Sequence, residues 1–138
     1  MIAETIAKGI EAQLKAETRA NELGFIVSKP TTDCCRYDMI IDNGSCLKRI
    51  QVKYCNHECL SSSGSVQVNL RKYSINGKER PFYSSDEVDA VIIYIKPIDK
   101  LCYFDIKEIG NRKSITIRYL PSKNNQAKNI FDCNKYLW

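Results

Sequence analysis

The stretch from Val88 to Ile95 is strongly apolar and rich in β-branched residues. Such side chains are stiff at χ1 and pack well on a pleated surface, so the stretch predicts a central strand. Leu101 to Ile106 follows across Pro97-Ile98-Asp99-Lys100 and predicts the strand that pairs with it. A chain of 138 residues has room for one domain, 1–138, built on such a sheet, and needs no metal or disulfide staple for its core. Hydrophobic residues at 43% and charged residues at 27% suit an ordinary globular domain. No apolar run approaches the ~20 residues of a membrane span.

The other elements follow from local pattern. Ile2, Ile6, Ile10 and Leu14 recur at four-residue steps, with alanines between them, which predicts a helix over 2–23 that stops at Gly24. Phe25-Ile26-Val27 predicts a short strand. Tyr37 to Ile41 and Leu47 to Tyr54 predict a hairpin about Asn43-Gly44. Residues 56–64 read as a Ser-rich loop, Val66 to Leu70 and Ser114 to Tyr119 as strands, and the tail from Lys123 as partly helical. The sum is a helix, a mostly antiparallel sheet and a second helix, an α/β or α+β domain.

The hairpin carries the chemistry. Side chains alternate along a strand, so Gln51 and Lys53 share a face. A two-residue turn would pair Asp42 with Ser45 and set Asp38 opposite Arg49. Asp38, Arg49, Gln51 and Lys53 then line one side, with Asp38 and Gln51 as diagonal neighbours ~7–8 Å apart. A carboxylate from Asp38, the amide oxygen of Gln51 and the Val52 carbonyl are three oxygens that a hard cation such as Mg²⁺ could take. Lys53 beside them could orient a water or steady developing negative charge. Taken alone, Arg-x-Gln-x-Lys also fits a plain solvated sheet face.

The net charge of +5 is unevenly spread. Residues 106–138 hold seven Lys or Arg against Glu108 and Asp132, and Arg71, Lys72, Lys78 and Arg80 cluster in a turn-rich stretch. These segments suit a polyanionic partner. Seven cysteines and an N-terminus without a continuous apolar core suggest free thiols in a reducing cytoplasm. Cys55-Asn56-His57-Glu58-Cys59 has no matching second pair for structural zinc.

Three segments together resemble the PD-(D/E)XK nuclease superfamily. Pro30 with Arg36-Tyr37-Asp38 is similar to its metal-binding strand, and Ile50-Gln51-Val52-Lys53 to its (D/E)xK motif, in the QxK form of the group I intron homing endonucleases. Lys8-Gly9, Gln13 and Leu23-Gly24-Phe25 resemble its opening helix, and Asn124-Asn125-Gln126 an Asn-Gln element of the homing subgroup. The resemblance implies a PD-(D/E)XK-like fold, a central mixed β-sheet flanked by helices. It implies Mg²⁺-dependent cleavage of double-stranded DNA, with Asp38, Gln51, Lys53 and Gln13 catalytic and Asp38, Gln51 and Val52 at the metal. It also implies a homo-oligomer, dimer or tetramer. Arg36, Arg49, Arg71, Lys72, Lys78 and Arg80 are the candidate DNA contacts. Gln13 stands where the family usually has Glu, which implies a weaker metal hold. A restriction-type or junction-resolving nuclease, or a DNA-binding domain of this fold impaired in cleavage, is the alternative.

Overall fold

The computed structural model describes residues 1–59, 62–70, 83–122 and 128–138. Helix α1 spans Glu4–Glu22, and strands β1 (Ile26–Ser28), β2 (Met39–Asp42) and β3 (Leu47–Cys55) follow. After them come β4 (Glu58–Cys59), β5 (Ser62–Asn69), β6 (Ala90–Ile95), β7 (Lys100–Asp105), α2 (Ile106–Ile109), β8 (Ser114–Arg118), β9 (Ile130–Asp132) and α3 (Cys133–Tyr136). The strands make two sheets, one of five strands in the order β1-β2-β3-β6-β7 and one of four in the order β4-β5-β8-β9. Both are mixed: β3 with β6 and β8 with β9 are parallel. The apolar stretch that predicted a central strand is β6, and all six of its residues are buried.

Alternation along β6 divides the core. Ala90, Ile92 and Tyr94 pack with Ile50 and Val52 of β3 against Ala12, Ala16 and Ala20 of α1. Val91, Ile93 and Ile95 face the other way, onto Val66 and Val68 of β5, Ile115 and Ile117 of β8, and the short helices. The alanine face lets α1 lie close to the sheet. Its C-terminus closes as the pattern predicted: Gly24 takes φ 76°, its N–H donates to Asn21 O, and the Phe25 N–H donates to Ala20 O. These two bonds satisfy carbonyls that a helix end otherwise leaves open.

The structure departs from the sequence reading in three places. Ile2, Ile6, Ile10 and Leu14 point outward, 43–63% exposed, because the alanine ridge takes the sheet. The Ser-rich stretch is not all loop, since β4 and the start of β5 lie in it. Gly64 there sits at φ 80°, and a Cβ on it would fall 2.5 Å from Leu120 Cβ, so only glycine lets the chain pass. The hairpin turn is also longer than two residues. Asp42 pairs with Leu47, not Ser45. The Asn43 side chain accepts from the Ser45 and Cys46 N–H groups, and Asp42 Oδ1 accepts from Gly44 N. A type I′ turn needs two residues at positive φ, and here Gly44 alone adopts it.

Candidate active site

The longer turn shifts the hairpin register by two residues. A shift of two preserves which face each side chain takes, so Asp38, Gln51 and Lys53 stay together. It also brings Asp38 beside Gln51 in place of the diagonal placement, and Arg49 pairs with Ile40 rather than with Asp38. Asp38 N donates to Ile50 O at 2.8 Å. β2 begins only at Met39, so β3 runs on past it with that edge open. There the Asp38 carboxylate does the work of a backbone carbonyl: Oδ2 accepts the Val52 N–H at 2.7 Å.

The same Oδ2 accepts from Gln51 Nε2 at 2.7 Å, and Nε2 lies 3.2 Å from the Val52 carbonyl oxygen. Gln51 is 7% exposed, on the face that looks toward the second sheet. Its Oε1 is buried and has no hydrogen-bond partner among the described residues. A buried acceptor left in that state costs about 1–3 kcal/mol. Two oxygens, Asp38 Oδ2 and the Val52 carbonyl, thus meet at one point of the strand, and a half-turn of the Gln51 amide would add a third. One carboxylate with two neutral oxygens is a donor set for a hard divalent cation. Among the described residues, no group of three or more His, Cys, Asp or Glu could hold a metal.

Lys53 and Arg36 flank this cluster through a residue that the sequence reading missed. Tyr83 is 3% exposed, with Lys53 Nζ 5.1 Å and Arg36 Cζ 4.9 Å from its ring centroid. Both cations sit within reach of the ring's negative face. The Tyr83 hydroxyl is buried and has no hydrogen-bond partner among the described residues. Burial pushes its pKa up to about 12; Arg36 opposes the shift, and Asp38 and Glu87 add to it. Arg36 also pairs with Glu87 at 3.4 Å. No spacing rule marks Tyr83 or Glu87, since both reach the site through a turn-rich segment distant in sequence.

Arg49 serves that segment. Its guanidinium holds Asp89 through two bonds of 2.9 and 3.0 Å, and it donates to the Ser85 carbonyl at 2.8 Å and to the Asp86 carbonyl. The Arg49 N–H also donates to Asp89 Oδ2, and the Asp89 N–H donates to the Arg49 carbonyl. The pairing raises the Arg49 pKa and lowers that of Asp89. The fork expected to meet phosphate is therefore committed to pinning 85–89, the stretch that carries Glu87 and follows Tyr83.

Gln13 lies half-buried on α1, the helix that covers the opposite face of the sheet from Gln51 and Lys53. Gly9, one turn earlier, lines a cavity shared with Lys53, and Glu17, one turn later, is ion-paired with Lys29. Glu11 is ion-paired with Lys96. Neither glutamate replaces a carboxylate at position 13. Arg71, Lys72, Lys78, Arg80 and Asn124-Asn125-Gln126 lie outside the described residues. No described helix is long and apolar enough to cross a membrane.

The fold agrees with comparisons to known proteins. No curated protein matches the chain. The solved structure of a bacterial homing endonuclease, I-Ssp6803I, superposes with a TM-score of 0.77 at 25% sequence identity, covering 98% of this chain and 89% of that one. The sequence pattern of the PD-(D/E)XK endonucleases matches residues 3–138. The match spans both sheets and every residue of the Asp38–Gln51–Lys53 cluster, and on it the chain belongs to the PD-(D/E)XK endonuclease family.

Proposed function

We propose that this chain is a site-specific double-strand DNA endonuclease of the homing type, with Asp38, Gln51 and the Val52 carbonyl holding Mg²⁺. The observation that carries this reading is the buried Gln51 carboxamide: Nε2 rests against the Asp38 and Val52 oxygens, while Oε1 has no hydrogen-bond partner among the described residues. A half-turn of the Gln51 amide exchanges Nε2 for Oε1 and gives a cation three oxygens in place of two. A bound divalent ion supplies a more acidic water and offsets charge on the phosphate.

The chain's own residues do the rest. Lys53 orients the attacking water, or takes its proton, and its charge stabilises the phosphoryl oxygens as negative charge gathers there. The Tyr83 ring keeps Lys53 and Arg36 on the phosphate side of the cluster. Arg36 is placed to hold a phosphate neighbouring the cleaved one, and Arg71, Lys72, Lys78 and Arg80 are further candidate DNA contacts from the sequence. Hydrolysis adds water across one phosphodiester and leaves a phosphate and a hydroxyl. Replacing Lys53 with Ala lowers cleavage at least 100-fold, of the order that one transition-state charge contributes. An unchanged rate would sink the mechanism.

The outward ridge of Ile6, Ile10 and Leu14 supports a homo-oligomer, dimer or tetramer, because an apolar ridge on a helix suits burial against another copy. A second reading has a specific observation in its favour: with Gln at position 13 and both nearby glutamates ion-paired, the chain could bind DNA and cut poorly. Under the first reading Gln13→Glu raises metal-dependent cleavage. No gain, with DNA binding intact, favours the second.

A further inference from the structure

Among the described residues, β5 and β8 leave the second sheet as a two-stranded ribbon. β4 pairs with β5 no further along than Val66, and β9 pairs with β8 no earlier than Thr116. The pairs Gln67 with Thr116, Val68 with Ile115 and Asn69 with Ser114 carry the ribbon onward, and Leu70 N donates to Lys113 O at 2.9 Å. Val68, Leu70 and Ile115 turn into the core, so the alternate positions turn out. The outer face is thus two carboxamides, Gln67 and Asn69, both exposed, above two half-buried hydroxyls, Ser114 and Thr116. Gln67 Nε2 reaches Ser114 Oγ at 3.3 Å, which holds the amide across the ribbon. No carboxylate stands among these four positions.

The face is continuous with the active site. Gln67, Asn69 and Lys53 line one cavity of about 480 Å³ together with Lys8 and His57. Exposed Arg112 and Lys113 stand at the ribbon's end, and Arg112 lies 5.3 Å from the Phe131 ring centroid. Amides and hydroxyls in the middle, cations at the margin and a catalytic lysine alongside describe the complement of one ligand, a DNA duplex. The major groove of B-form DNA is about 12 Å wide and admits a two-stranded ribbon, and an Asn or Gln amide matches the N6 and N7 edge of adenine with two hydrogen bonds.

We propose that Gln67 and Asn69 read base edges in the major groove within a few base pairs of the cut phosphodiester. This assignment rests on the endonuclease reading above. Arg112 and Lys113 meet flanking phosphates, which position the ribbon without specifying sequence.

The test is selection from a randomised duplex pool in Ca²⁺, with the parent chain, Gln67→Ala and Asn69→Ala, each first checked for an unchanged melting temperature. The parent enriches a consensus. Each variant loses about 5- to 150-fold of base preference at one or two positions, and the other positions keep theirs. A parent consensus that both variants reproduce at every position, a uniform loss of affinity for all sequences, or enrichment of single strands over duplexes overturns the assignment. Cutting of the same pool in Mg²⁺ is scored separately. A parent that cuts without any consensus removes the base readers and leaves the nuclease standing. A parent that enriches a consensus and never cuts removes the nuclease and leaves the readers.

Discussion

Changing Gln51 to Glu tests the proposed metal position without relying on catalysis. The substitution is nearly isosteric and puts a carboxylate oxygen where Nε2 now lies 2.7 Å from Asp38 Oδ2. Two unit charges that close repel by about 6 kcal/mol at an effective dielectric of about 20. Side-chain rotation and a shared proton relieve part of this. A carboxylate pair with one member raised by about 2–3 pKa units costs about 3–4 kcal/mol once pH exceeds both values. For a domain of this size that is a melting temperature about 10 °C lower. The sign follows from the raised folded-state pKa: the protonated pair is stable, and stability is lost as pH rises through that value. Thermal unfolding followed by circular dichroism in EDTA should therefore show the deficit at about pH 8 and little of it at about pH 5. Millimolar Mg²⁺ or Ca²⁺ should close the gap at about pH 8, with a larger rise for the variant than for the parent, because the ion binds the folded state and cancels the repulsion. Equal melting of variant and parent in EDTA would refute the contact. A deficit that divalent ions leave untouched would refute the metal position.

Tyr83→Leu removes the ring that faces Lys53 and Arg36, whereas Tyr83→Phe keeps it and deletes an unpartnered hydroxyl. The Phe variant should melt no lower than the parent and hold kcat within about threefold, and the Leu variant should lose about tenfold in kcat, since each cation–ring contact is worth about 0.5–2 kcal/mol. Equal kcat in the two variants would show that the ring positions nothing. The Arg49–Asp89 pair predicts acid sensitivity. The folded-state pKa of Asp89 is depressed, so its contribution is fully present above the unfolded value of about 3.9 and is lost as pH falls through the folded one. Asp89→Asn should be less stable than the parent at neutral pH and converge with it in acid, as followed by urea denaturation across pH; a constant difference would contradict the linkage.

The reach of the sequence can be traced residue by residue. The buried β6 strand, its β7 partner and the Gly24 stop of α1 were legible because each depends on local pattern. The shared face of Asp38, Gln51 and Lys53 was legible even though the turn length was not. Strand periodicity is two and the register moved by two, so the error cancelled for Asp38, Gln51 and Lys53. The Ser-rich start of β5 has weak strand propensity and becomes a strand by pairing across the sheet, with Ser65 fully buried opposite Arg118. Tyr83, Glu87 and the Arg49 staple depend on contacts 30 or more residues apart in sequence, where periodicity carries no signal. The isoleucine ridge of α1 was visible as a pattern, but which ridge meets the sheet was decided by how near the alanines let the helix approach.

The Asp38 carboxylate stands in for a rung of the ladder at the open edge of β3. One oxygen both fastens that edge and is the proposed anchor of the cation. An inactive Asp38→Ala protein is therefore ambiguous, because it loosens the strand as it empties the site. The pairing also limits how this protein can drift under selection. Where a catalytic acid is separable from the scaffold, activity can fade first and the fold persist; here relaxed selection on cutting still leaves a penalty on changing Asp38. A descendant that no longer cleaves DNA is expected to keep its aspartate and to lose Lys53 first.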